Sequence, residues 1–349
     1  MNRMATMSGT DLAGLSVSAC APGRVCLAGE SLDWMTGGPS VVTAIPLHTT
    51  VTVTAGEPTG PMLLASSATQ PTTRTVDTAD LTTFAGDGLD YLQAAVAVVM
   101  RRWPLLVRGA RIEATSTVPV GAGVSSSAAL TVATAGALLR FADNAVPAAA
   151  TVARAAYDAE TGQLGTGAGW MDFLACAHGG VCRIDAGDPP TVTRLAPSLR
   201  TPLLVIDTLQ RRATSTVLAS KRDRYQAGDA GMRTYATAAT AIVNDLTAVL
   251  RDPAPDHHLV GALMNQAQRL LRDLVRCSTP MIDECVRRCL ASGAYGAKLT
   301  GSGHGGCLVA LAPIEAIGAV HTALSDLPVR VMVFTTGEPR GVVFPPSDY

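Results

Sequence analysis

Lysine is almost missing from this chain of 349 residues: Lys221 and Lys298 are the only two. Arginine therefore carries nearly all the positive charge, which reads as coding bias because no folding rule asks for it. There is no block of basic residues, and the formal net charge is −1. Without a basic footprint the chain is a poor partner for nucleic acid or for an anionic membrane surface. No apolar run approaches the roughly 18 residues needed to span a bilayer. Even the alanine-rich stretch from Ala128 to Leu139 holds two threonines and stops at Arg140. The first residues lack a basic region followed by an apolar core and a small-residue cleavage site, so a soluble, cytoplasmic protein is expected. Paired C-x-x-C spacing is absent among the eight cysteines (Cys20, Cys26, Cys176, Cys182, Cys277, Cys285, Cys289 and Cys307), which predicts buried, reduced thiols rather than a disulfide frame or a zinc site.

The composition that remains is that of a globular chain, with 48% hydrophobic and 16% charged residues, 33 Gly and 21 Pro. Its length predicts two domains. Residues 1 to about 18 are small and polar, a frayed leader. The Val/Thr/Ile-rich stretch Val41 to Val53 predicts a strand pair, and Arg111 to Ser116 a further strand of period two. Helical spacing appears over Leu89–Arg102, Ala128–Phe141 and Ala148–Glu160. The stretch Asp185 to Arg200, with Pro189, Pro190 and Pro197, is the expected boundary. Beyond it, Leu203–Asp207, Gly306–Ala312 and Val329–Thr335 read as strands. Thr216–Ala227, Met232–Leu250, His258–Arg276, Met281–Ser292 and Ile314–Leu324 read as helices. No internal repeat is present. An α+β protein follows, with an N-terminal domain over 1–197 and a C-terminal domain over 198–349.

Three glycine-rich segments carry the chemistry. The strongest runs from Pro119 through Gly121, Ala122, Gly123, Val124, Ser125, Ser126 and Ser127 directly into a helix. Glycines let backbone approach an anion, and the N–H groups and dipole of a helix start favour phosphate, while serine hydroxyls can cap the helix or meet phosphate or Mg²⁺. It is not a P-loop, since G-x-x-x-x-G-K-[ST] is absent. The second segment, Gly296 to Cys307, includes Gly301, Ser302, Gly303 and His304 and precedes an apolar run, as a loop does when its backbone passes close to something. His304 has no second histidine at ligand spacing. In the third, an apolar strand from Ala21 leads past Arg24 into Glu30, Ser31 and Asp33. Carboxylates in such a turn can accept hydrogen bonds from the hydroxyls of a sugar or other polyol, or can simply be solvated.

In this order and at these separations the three segments resemble the motifs of the GHMP kinases, and the likeness covers nearly the whole chain. The resemblance implies a two-domain α+β fold, an N-terminal domain like ribosomal protein S5 and a C-terminal ferredoxin-like domain, with the active site in the cleft between them. Gly23 to Trp34 is most similar to the galactokinase pattern G-R-V-N-L-I-G-E-H-T-D-Y. Arg24, Glu30 and Asp33 match it, while Cys26, Ala28, Ser31, Leu32 and Trp34 depart from it. Glu160-Thr161-Gly162 through Gly169-Trp170-Met171-Asp172 resembles the galactokinase stretch that ends in a catalytic aspartate. Asn265-Gln266, Leu270-Leu271 and Gly296 to Gly301 are instead closer to mevalonate kinases.

By that resemblance the protein is an ATP-dependent kinase that uses Mg²⁺ and a small-molecule acceptor. Asp172 would orient or deprotonate the attacking hydroxyl, and Arg24 would hold Asp172 ionised. Ser127 and Glu160, or Ser126 in place of Ser127, would be the Mg²⁺ ligands. The backbone from Pro119 to Ser127 would hold the phosphates, with Gly301, Ser302 and Gly303 on the nucleotide side. Glu30, Ser31 and Asp33 would read the substrate. Two carboxylates suit neutral hydroxyls and repel an acid, so the expected acceptor is the C1 hydroxyl of a sugar. Ser31, smaller than the galactokinase histidine, leaves room for a heptose or octose, including one already phosphorylated. A mevalonate-type kinase is the nearest rival. A sugar- and ATP-binding sensor without turnover is the rival of another class.

Overall fold

The computed structural model describes residues 15–57, 60–101, 109–143, 145–211, 214–334 and 340–345. The chain opens with β1 (Ser16–Ala28), a short helix α1 (Leu32–Thr36) and β2 (Pro39–Thr54). β1 and β2 pair antiparallel from Ser16↔Thr54 to Ala28↔Val41, with irregularities after Pro22 and Cys26. The strand pair expected within 41–53 is thus one long strand, whose partner lies in the segment before it. Pro46 falls at the irregularity opposite Pro22 and Gly23, but no Gly, Asn or Asp supplies a turn there, so the strand runs on.

Next come β3 (Met62–Ser66), β4 (Thr72–Val76), α2 (Asp90–Met100), β5 (Arg111–Ser116), α3 (Ser126–Asp143), α4 (Ala149–Tyr157), α5 (Met171–His178), β6 (Val181–Asp185) and β7 (Thr191–Ala196). Among the described residues these strands form a seven-stranded sheet of order β4-β3-β5-β2-β6-β7, with β1 also on β2. β7 occupies much of the stretch 185–200 expected as a linker, because its prolines sit in the turn before the strand and just after its end. Position 102, the expected end of the helix from Leu89, position 335, the expected end of the strand from Val329, and positions 1–14 of the expected leader lie outside the described residues.

The second half contains β8 (Leu203–Asp207), α6 (Thr214–Gln226), α7 (Ala230–Leu250), α8 (His257–Leu270), α9 (Pro280–Ala291), β9 (Gly296–Leu299), β10 (Cys307–Leu311), α10 (Ile317–Leu324) and β11 (Arg330–Phe334). Its sheet has the order β11-β8-β10-β9. The helix starts are chemically specified. Asp229, Asp256 and Thr279 accept from backbone N–H groups one turn on, and Pro280 occupies the first turn of α9. None of the helices is long and apolar enough to cross a membrane among the described residues. The eight cysteines form no disulfide among the described residues, and all but Cys20 are buried.

α3 is the spine of the first layer. Its alanines, glycine and threonines keep it thin, so it lies buried against β1 and β2 while α2 and α4 pack over it. The segment 340–345 returns to this layer, where Val343 bridges to Cys20 on β1 and Arg340 to Gly179. The two sheets share one continuous core, because Val243 and Leu246 of α7 and Leu263 and Met264 of α8 pack into the cluster that holds Val25, Leu27 and Val41.

A buried ion pair pins this joint. Lys298 on β9 is fully buried, and its ammonium donates to Glu30 Oε1, to the Cys26 carbonyl (3.0 Å) and to the Leu299 carbonyl (2.6 Å). Around it, Cys26 N–H donates to Thr300 Oγ1 (2.8 Å) and Tyr235 hydroxyl to the Glu30 carbonyl (2.6 Å). Breaking one partner of a buried pair strands the other charge. We therefore expect Lys298→Met to lower unfolding free energy by about 3–5 kcal/mol in urea denaturation, and adding Glu30→Leu to restore much of that loss.

Candidate active site

A cavity of about 600 Å³ opens where the β1–α1 turn, the loop before α3, the end of α4, the start of α5 and the loop after β9 converge. The loop before α3 is built by alternation. Gly121, Gly123 and Ser125 have φ of 67°, 84° and 64°, and all three face the cavity. Ala122 and Val124 between them turn into the core and are fully buried, and Pro119 does not reach the cavity. Left-handed residues alternating in this way turn successive N–H groups toward one concavity, and α3 begins at its lip with Ser126 and Ser127. Gly301 docks against this loop, where a Cβ would lie 2.6 Å from the Gly123 carbonyl oxygen. Ser302 also lines the cavity, whereas Gly303 is buried behind it against Cys277.

On the opposite wall Arg24, only 3% exposed, holds Asp172. Its Nε and one terminal nitrogen donate to Asp172 Oδ1 at 2.8 and 2.5 Å, and the other donates to the Gly123 carbonyl at 2.8 Å. Burial works against the Arg24 charge, yet the Asp172 carboxylate outweighs it and keeps the guanidinium above its ordinary range. Asp172 stands in the first turn of α5 with its side chain 27% exposed toward the cavity.

Glu160 comes from a place where the helix widens. α4 expected to run to this residue instead ends at Tyr157 and continues as a π-helical turn, Asp158–Gln163, in which Leu164 N–H reaches back to the Ala159 carbonyl. The extra residue in the turn swings Glu160 inward. Ser127 Oγ donates to Glu160 Oε1 (3.2 Å), while Oε2 is buried without a partner. Burial and then the neighbouring Asp172 charge push the Glu160 carboxyl up to about 8. An orphaned carboxylate oxygen beside a serine hydroxyl is an oxygen-only donor set, which fits a hard cation such as Mg²⁺. It is Ser127, not Ser126, that meets Glu160.

The turn expected to read the substrate divides. Ser31 (φ 70°) and Asp33 line the cavity. Glu30 does not: it is fully buried beneath the turn, neutralised by Lys298. The sequence offered no sign of this, since Lys298 is 268 residues away along the chain. Asp33 accepts from Trp34 N–H (2.9 Å) and Met171 N–H (3.3 Å) and presses on Gly169, where a Cβ would fall 1.8 Å from Oδ2. Burial first, and Asp172 second, push its carboxyl up to about 6. The far wall was not anticipated. Ser66, Thr69, Asp87 and Tyr91 line it, and no motif or spacing marks them.

Comparison with known proteins fits this geometry. Residues 90–180 match the family model "GHMP kinases N terminal domain" and residues 246–326 "GHMP kinases C terminal". The mevalonate kinase of Thermococcus sibiricus is 30% identical over 320 residues, which cover 89% of this chain and 93% of that one. The galactokinase of Streptomyces coelicolor is 28% identical, covering 88% and 87%. The crystal structure of Lactococcus lactis galactokinase complexed with galactose superposes with a TM-score of 0.79 at 18% identity, over 94% of this chain and 95% of that one. The chain belongs to the GHMP kinase family and has its fold. It is a small-molecule kinase of that family, an ATP-dependent phosphotransferase.

The raised Glu160 acid sets a sign for pH dependence. The native carboxyl keeps its proton to about 8, whereas the unfolded one loses it near 4.5. The ligand-free protein therefore loses stability as pH rises through this window. Thermal melts should show Glu160→Gln more stable than the wild type at pH 8.5, with the gap closing toward pH 5. A gap of the same size at both pH values would contradict the assignment. At pH 7, calorimetry in buffers of different ionisation enthalpy should show proton release when Mg²⁺ with nucleotide binds, and Glu160→Gln should abolish it.

Proposed function

We propose that this kinase phosphorylates a hydroxyl of a neutral polyol, the anomeric hydroxyl of a sugar before others. One observation carries the reading: among the described residues that line the cavity, Arg24 is the only cation, and it is committed to Asp172 and the Gly123 carbonyl. The lining carboxylates Asp33, Asp87 and Asp172 would repel an acid placed at the reacting end. Hydroxyls are what such carboxylates accept from.

In this reading Asp172 takes the hydrogen bond, then the proton, of the attacking hydroxyl, and Arg24 fixes the carboxylate in place. Asp33 orients a neighbouring hydroxyl. The alternating loop Gly121–Ser125 and the start of α3 hold phosphate oxygens of ATP, with Gly301 and Ser302 closing the same side. Ser127 and Glu160 would hold Mg²⁺, which neutralises phosphate charge when bound. Ser31, small and at the cavity wall, supports an acceptor longer than galactose, a heptose or octose.

A second reading, a mevalonate-type kinase, is favoured by the 30% identity to a mevalonate kinase. ADP release with Mg-ATP over galactose, longer sugars, their phosphates and mevalonate separates the two. The expected result is turnover of a sugar ahead of mevalonate, lowered by about 10²- to 10⁴-fold in Asp172→Asn. Mevalonate ahead of every sugar would reverse the choice, and binding of ATP and sugar with no ADP released would make the protein a sensor.

A further inference from the structure

We propose that the stacked rings of Tyr157 and Trp170 form a clasp that sets Glu160 and Asp172 in register with each other, which makes both aromatics positioning residues for phosphoryl transfer. The proposal rests on the kinase reading above for the roles of the two carboxylates.

The two acidic residues lie on one excursion of the chain. It leaves α4 at Tyr157, passes through the π-helical turn that holds Glu160 and runs on as Gly162-Gln163-Leu164-Gly165-Thr166-Gly167-Ala168-Gly169. It re-enters helix at α5, with Asp172 in the first turn. Glycine thus fills every second or third position of this segment. Gly165 and Gly167 are left-handed, and a Cβ on Gly162 or Gly165 would meet no atom within 4 Å. Such a segment has wide backbone freedom and little packing of its own to restrict it, yet Thr166, Ala168 and Gly169 form part of the cavity wall.

What joins its two ends is aromatic. The Tyr157 ring lies flat on Trp170, with centroids 3.8 Å apart and planes 7° from parallel. Phe173, fully buried on α5, meets the Tyr157 ring edge-on at 5.7 Å. On the other side, the Arg154 guanidinium lies over the indole at 5.7 Å. Its Nε donates to both carboxylate oxygens of Asp158, the first residue of the π-helical turn, at 2.9 and 3.0 Å. Side chains from the end of α4 and the start of α5 thereby brace the neck of the loop, and neither Tyr157 nor Trp170 itself lines the cavity. Tyr157 precedes Glu160 by three residues and Trp170 precedes Asp172 by two, so a shift of either ring is passed on within one helical turn. Inside the neck, Thr166 donates to the Glu160 carbonyl through its N–H and its hydroxyl, both at 3.3 Å, which ties the glycine segment back to the residue being positioned. An aromatic pair contributes beyond its buried area, and at the neck it restricts a loop that glycine leaves free.

The test measures metal binding and turnover in the full chain. Mn²⁺ is titrated in the presence of ADP and followed by electron paramagnetic resonance, and kcat and KM are taken with Mg-ATP and the acceptor that the panel above selects. Thermal melts establish that each variant is folded at the assay temperature. Trp170→Leu and Tyr157→Leu are each expected to weaken Mn²⁺ binding about fivefold and to lower kcat by about 10- to 100-fold, with the acceptor KM moved far less. Trp170→Phe, which keeps a ring, should recover most of both losses. The double variant should be no worse than either single one, because a clasp opens only once. Folded variants whose Mn²⁺ affinity and kcat stay within about twofold of the wild type, or losses that add in the double variant, overturn the proposal. A merely structural stack lowers the melting temperature and leaves the folded site as it was. If no acceptor gives Asp172-dependent ADP release, the kinase reading fails separately, and the Mn²⁺ titration alone decides on the clasp.

Discussion

Everything at the site hangs on the buried contact between Lys298 and Glu30. The cavity is assembled from segments far apart in the chain, and this ion pair is where the second sheet grips the turn that carries Ser31 and Asp33. Two charges out of water contribute little net stability compared with an apolar pair of the same shape. What they add is geometry: a Lys298 ammonium that donates to Glu30, Cys26 and Leu299 at once tolerates one arrangement of β1 against β9. That arrangement in turn sets Gly301 against Gly123, and so closes the glycine-loop side of the cavity.

Negative charge is the site's other organising feature. Asp33, Glu160 and Asp172 face one space with a single committed guanidinium between them. Burial and mutual repulsion raise Asp33 and Glu160, while Arg24 holds Asp172 by direct hydrogen bonds. The site is therefore suited to positive charge, which a divalent cation would bring with the nucleotide. The π-helical turn that delivers Glu160 belongs to the same logic: a wider helix turn aims one side chain inward where a regular turn would have left it at the surface.

Much of this was legible in the sequence, and the reason is locality. Glycine and serine at fixed spacing before a helix specify the loop at Gly121–Ser127 through backbone conformation alone, and the strand–turn that carries Arg24 and Asp33 is likewise continuous. Most helices of the second half appeared with their boundaries shifted by only a few residues. What escaped depends on partners distant in sequence. Glu30 looked like a substrate ligand because nothing near it announces Lys298. β3, β4, β6 and β7 are short, and β4 and β7 are largely solvent-facing, so their apolar pattern is faint. The walls formed by Ser66, Thr69 and Tyr91 are ordinary residues made special by where the sheet and α2 bring them.

The return of residues 340–345 to the first layer bears on how the chain is made. Val343 pairs with Cys20 and Val342 N–H donates to the Ala177 carbonyl, so a segment far downstream in the chain is stitched to β1 and to α5, the helix that carries Asp172. During translation, β1 and α5 can collapse with α3, but the edge beside Cys20 stays open until more than three hundred further residues have emerged. The first layer of this enzyme is thus begun early in synthesis and completed much later, which places a long-range pairing late in folding and leaves the unfinished edge in need of protection from other chains.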